Sequence, residues 1–175
     1  LPTQISGRNR AWRRVIIDAF RNDPAWAGGD YNEQPPSLRT AAQMLYLMSS
    51  NPVLRQAEAP TRAKTDEVLD KFVADYFKTA DANDVLYALE ASHDYDPGPG
   101  LEKIRAPLVA INFADDLINP PELGILEREI KRVPKGRAIT LPLSEKTRGH
   151  GSHTIANLWK DELVKLLERA APSAR

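Results

Sequence analysis

Apolar residues fall at helical spacing through the first half of the chain. Trp12, Val15, Ile16, Ala19 and Phe20 repeat at i, i+3, i+4, i+7 and i+8, the stripe of one amphipathic helix. Pro24 follows and predicts a stop near Asn22. Gly28-Gly29-Asp30 and Pro35-Pro36 mark a loop. Ser37 reads as the N-cap of a second helix carrying Leu38, Ala41, Ala42, Leu45 and Met48. Pro52 and Pro60 predict an irregular turn between them. A third helix presents Val68, Leu69, Phe72, Val73, Tyr76 and Phe77, and Asp81 caps a fourth with Val85, Leu86 and Leu89 inward.

The pattern changes at Asp94-Tyr95-Asp96-Pro97-Gly98-Pro99-Gly100, a strong breaker. Leu108-Val109-Ala110-Ile111-Asn112-Phe113 is then apolar on both faces, as parallel strands are. Pro120-Pro121 predicts the first turn of a helix with Leu123, Leu126 and Ile130 inward. Ala138-Ile139-Thr140-Leu141 reads as a second strand, and Ser152 or Thr154 as the cap of a last helix reaching Leu167. Residues 105–170 thus read strand–helix–strand–helix, an α/β unit with a right-handed crossover. Two strands buried on both faces need neighbours, so the sheet is expected to be completed by chain outside this sequence.

Composition narrows the function. The 175 residues hold 24 Lys and Arg against 24 Asp and Glu, which removes any global electrostatic case for nucleic acid or an anionic membrane. No apolar run approaches the length of a transmembrane span. There is no cysteine, hence no disulfide, no thiolate metal site and no Cys nucleophile. Cytoplasmic and exported locations both fit that composition.

Open α/β sheets gather function at the carboxyl ends of their strands. The first strand leads into Ala114-Asp115-Asp116-Leu117-Ile118-Asn119-Pro120-Pro121, the second into a loop holding Gly149-His150-Gly151-Ser152-His153. An acid after one strand and a His after the next form the orienting half of a Ser-His-Asp triad: the carboxylate fixes the imidazole through Nδ1, and Nε2 exchanges a proton with a nucleophile. On residue pattern alone either His150 or His153 could serve, and both could cap or face solvent. A metal pair is the weaker alternative, because no further His lies nearby. His93, beside Asp94 and Asp96, reads as a structural residue at a helix end. The Gly-x-Ser-x-Gly nucleophile elbow is absent from the sequence.

Four stretches resemble the C-terminal half of homoserine O-acetyltransferases and their relatives in the α/β-hydrolase superfamily. They are Asp23-Pro24-Ala25-Trp26-Ala27-Gly28-Gly29-Asp30-Tyr31, Asp81-Ala82-Asn83-Asp84-Val85-Leu86-Tyr87, the acid loop from Ala114 to Pro121, and Arg148-Gly149-His150. The resemblance implies the C-terminal half of an α/β-hydrolase fold, with residues 1–34 and 96–175 in the core and residues 35–95 as a helical lid. It places the catalytic acid at Asp116 and the catalytic base at His150. It implies acyl transfer through a serine carried by an N-terminal half, with acetyl-CoA as a donor substrate and no bound cofactor or metal. With its start at Leu1 and no elbow, the chain is expected to act only together with that half, while a homodimer stays open. Two positions depart from the family pattern. Gly151 follows His150 where an acidic residue is usual, and Ile118-Asn119 stands where an aromatic is common. An esterase or amidase on the same framework is therefore the alternative, with an inactive interaction module as the reading without chemistry.

Overall fold

A computed structural model describes residues 3–170. Their contacts divide them into two compact units, one helical and one α/β.

The helical unit comprises residues 5–48 and 52–95. Its helices are α1 (Gly7–Arg21), α2 (Leu38–Met48), α3 (Pro52–Glu58), α4 (Arg62–Thr79) and α5 (Ala82–Glu90). Helix α1 packs on α2 and α5, and α2 packs on α4. Trp12, Ile16, Ile17 and Phe20 of α1 are buried, whereas Val15 is 47% exposed. The core-facing stripe is thus turned by one position from the sequence reading, with Ile17 replacing Val15. The turn expected between Pro52 and Pro60 is instead α3, because a proline at the first helical position costs no hydrogen bond and presets φ. Helix α2 starts where expected, but the acceptor for the Ser37 amide comes from Asp23, 14 residues earlier, at 2.8 Å.

Two of the stretches that carried the resemblance bind each other. The Asp81 side chain accepts from the amides of Asn83 and Asp84 at the start of α5. Its second oxygen accepts from the Tyr31 hydroxyl and the Gln34 amide, both at 2.8 Å. Asn83 receives the Trp26 indole N–H at 2.9 Å and donates to the Gly29 carbonyl at 3.0 Å. These residues build structure: they satisfy the helix terminus while fixing the 24–34 loop. Asp81→Ala removes the cap and strands two side-chain donors, so a loss of about 2 kcal/mol is expected in urea unfolding. A loss below about 0.5 kcal/mol would show that water replaces the carboxylate without cost.

The α/β unit comprises residues 96–170 with the short segment Ser49–Asn51 and the described N-terminal residues 3–4. Strands β1 (Leu108–Phe113) and β2 (Gly136–Leu141) pair in parallel, from Leu108 opposite Gly136 to Phe113 opposite Leu141. Helix α6 (Ile125–Glu129) lies between them in sequence, and α7 (Lys160–Ala170) follows. Leu101, Ile130 and Val133 form a buried cluster against Leu108, Ala110 and Ala138. On the other side Val109, Ile111 and Phe113 line a cleft of about 270 Å³ with α7. Two helix starts lie later than the sequence suggests. Pro121–Leu123 is a 3-10 turn that ends at Gly124 in the left-handed region, and α6 begins after it. Likewise two 3-10 turns, Gly151–Thr154 and Ala156–Leu158, precede α7, so neither Ser152 nor Thr154 caps it.

Candidate active site

The acid loop is built around Asp116. The ladder runs one step past β1, with the Ala114 amide on the Leu141 carbonyl at 2.9 Å, and then the chain turns. Asn112, buried at the end of β1, donates its side-chain amide to the Asn119 carbonyl at 2.8 Å and ties the loop to the strand. Asp116 Oδ1 accepts the amides of Ile118 at 2.7 Å and Asn119 at 2.9 Å, so the backbone wraps around the carboxylate. Its other oxygen, Oδ2, lies 2.9 Å from His150 Nδ1.

This geometry sets the protonation pattern. An ionised carboxylate only accepts, so Nδ1 carries the proton and donates it to Asp116. Asp116 is 4% exposed while the His150 side chain is 32% exposed. Burial works to raise the Asp116 pKa. The hydrogen bond from His150, the Asn119 and Ile118 amides and the charge of His150 outweigh it, and the carboxyl stays below the ordinary carboxylate range. The imidazole is thereby held in one tautomer with Nε2 as its basic atom.

The loop carrying His150 is equally constrained. The Arg148 amide donates to the fully buried Ser152 hydroxyl at 2.7 Å. Gly149 has φ +58°, a backbone state that disfavours side chains. Its amide donates to Asp115 Oδ2 at 2.9 Å, and the same oxygen accepts from Asn51 Nδ2 at 2.7 Å. The Gly151 amide donates to the Ser49 carbonyl at 3.0 Å.

The structure therefore brings Asp116 and His150 together. It keeps His153 off the carboxylate, since His153 Nδ1 meets the His150 carbonyl instead. His93 pairs with Asp94 at an exposed position of the helical unit. No cluster of three or more metal-ligating side chains occurs among the described residues. Asp115, Asn51 and Ser49 are supports that sequence reasoning missed. The faint signals for them were the second carboxylate beside Asp116 and the two glycines flanking His150, which mark close backbone approach.

Comparison with known proteins adds the fold and a resemblance. No protein-family model matches the chain. The chain is 34% identical over 128 residues to the homoserine O-acetyltransferase of Pasteurella multocida (strain Pm70), covering 64% of this chain and 34% of that protein. Its structure superposes on the homoserine O-acetyltransferase from Bacillus anthracis with TM-score 0.81 at 18% identity, covering 99% of this chain and 52% of that one. The acetyl esterase MekB gives TM-score 0.72 at 20% identity, covering 96% and 52%. The chain has an α/β-hydrolase fold. It spans about half the length of these solved α/β hydrolases, and its aligned part about a third of the curated relative. The resemblance to homoserine O-acetyltransferases is found in both sequence and structure comparisons. Among the described residues no helix is long and apolar enough to cross a membrane.

Proposed function

We propose that this chain supplies the acid and base of a serine-dependent acyl-transfer enzyme. The observation that carries the reading is the 2.9 Å contact between His150 Nδ1 and Asp116 Oδ2, beyond the carboxyl ends of adjacent parallel strands. That pair leaves Nε2 to take the proton from a serine hydroxyl as its oxygen attacks an acyl carbonyl. The imidazolium then returns the proton to the leaving group. In the second half-reaction Nε2 removes a proton from the acceptor alcohol, or from water, as its oxygen attacks the acyl carbonyl; the serine oxygen then leaves and takes that proton from the imidazolium.

The serine and the oxyanion donors belong, on this reading, to an N-terminal half that completes the sheet. The sheet of the described residues has only the two parallel strands β1 and β2, fewer than parallel sheets ordinarily hold, which supports further strands beside them. Residues 35–95 take the lid role that the resemblance implies, and acetyl-CoA is a donor consistent with it.

Hydrolysis is the second reading. Gly151 beside the base and Ile118-Asn119 beside the acid both depart from the acetyltransferase pattern in the residues nearest the pair. Steady-state assays of the full-length enzyme separate the two. Hydrolysis of a small activated acetyl ester is expected at a readily measured rate, with little stimulation of CoA release by homoserine. Strong homoserine-dependent CoA release would return the enzyme to the acetyltransferases proper. Absence of both activities, with a serine elbow present, would sink the acyl-transfer reading.

A further inference from the structure

We propose that Asp115 is a positioning residue for His150, acting as one jaw of a clamp whose other part is the segment Ser49–Asn51. The inference rests on the acyl-transfer reading, in which His150 is the base.

The backbone is held on both sides of that histidine, by ties that end on the same three residues. Before it, the Gly149 amide is held by Asp115 Oδ2, and that oxygen is held by Asn51 Nδ2. After it, the Gly151 amide is held by the Ser49 carbonyl. Ser50 and Asn51 are buried, so this stretch between α2 and α3 is packed against the histidine loop and not a solvated connection. Gly149 lets it come close: a Cβ there would lie 2.6 Å from the Ser50 carbonyl oxygen and 2.7 Å from its carbon.

The chemistry of Asp115 fits this task. It follows Ala114 directly after β1, so its carboxylate starts from the same strand end that carries Asp116. One carboxylate of the pair thereby fixes the imidazole ring and the other fixes the backbone that presents it. Both donors share Oδ2, whereas Oδ1 is buried without a hydrogen-bond partner among the described residues. Asparagine has the shape to keep Oδ2 as a neutral acceptor for both donors, which makes it the conservative variant.

The test uses the full-length enzyme with an activated ester. Asp115→Ala and Asn51→Ala are each expected to lower kcat roughly 10- to 100-fold at little changed KM, as displacement of a base by a fraction of an ångström to 1 Å does. Asp115→Asn is expected to stay within about threefold of wild type. Unimpaired kcat in both alanine variants, with native thermal unfolding, would overturn the clamp. So would an Asp115→Asn variant as impaired as Asp115→Ala beside a normal Asn51→Ala, which would mean charge alone. Should Asp115→Ala fail to fold, the Asn51→Ala and Asp115→Asn pair decides the matter. His150→Ala separates the two levels: if it retains wild-type rates, the acyl-transfer reading fails. The downfield Nδ1–H resonance of His150, present in wild type and lost in Asn51→Ala, then still reads the clamp; its survival in Asn51→Ala would overturn it.

Discussion

Asp116→Asn is expected to lower kcat of the full-length enzyme roughly ten-thousand-fold while leaving the fold intact. Asparagine can keep the two amide bonds that Oδ1 now accepts from Ile118 and Asn119. Its Nδ2 then replaces the oxygen 2.9 Å from His150 Nδ1, and two donors cannot face each other. The imidazole must place its proton on Nε2, the atom that should accept from serine. His150→Ala should be about as damaging, and the double variant little worse than either, since the residues act as a unit. Full activity in either single variant would remove this pair from the chemistry. A stability signature accompanies the kinetic one. The native pKa of Asp116 lies below its unfolded value, so its ionised form favours the folded state. That contribution is complete above the unfolded carboxylate pKa of about 3.9 and fades as pH falls through the native value. Urea unfolding should therefore separate wild type from Asp116→Asn at neutral pH and bring them together in strong acid. A gap that widens on acidification would contradict the assignment of sign.

Phe20→Ala should cost about 3–5 kcal/mol, the largest stability effect expected of a single truncation here. Phe20 is at 0% exposure on α1, the helix that packs on both α2 and α5. Truncation leaves a cavity that neighbours on two sides would have to fill, and typical domains have only about 5–15 kcal/mol in reserve. Val15→Ala on the same helix is the control, with an expected change within about 0.5 kcal/mol because Val15 is largely solvated. Equal losses from the two variants in urea titrations would mean that α1 is buried on a different face.

What the sequence made legible follows from the range of the interactions involved. The hydrophobic period is local, so α1, α2, α4 and α5 and both strands could be read directly, with Val15 and Ile17 exchanged because a stripe one position wide cannot fix a helix's rotation. Proline was ambiguous: Pro52 opens α3, though the same residue ends helices elsewhere. Asp116 and His150 were legible as types in strand-end loops, and the resemblance chose between His150 and His153. Asp115 and Asn51 were not, since 64 positions separate them and their tie is a single side-chain contact. Ser49 contributes only a backbone carbonyl, a group every residue owns, so no residue identity could announce it.

The position of Ser49–Asn51 in the chain limits how this protein can be re-engineered. The segment lies between α2 and α3 in sequence yet belongs to the unit that carries β1, β2 and His150. The helical stretch is thus not a detachable cassette. A chimera that exchanges residues 35–95 for those of another enzyme also exchanges the anchor of the histidine loop. Cut points at residues 48 and 52 would split the graft in two and leave the anchor native. Grafts confined to the helical stretches on either side would then leave the ties to Gly149 and Gly151 in place.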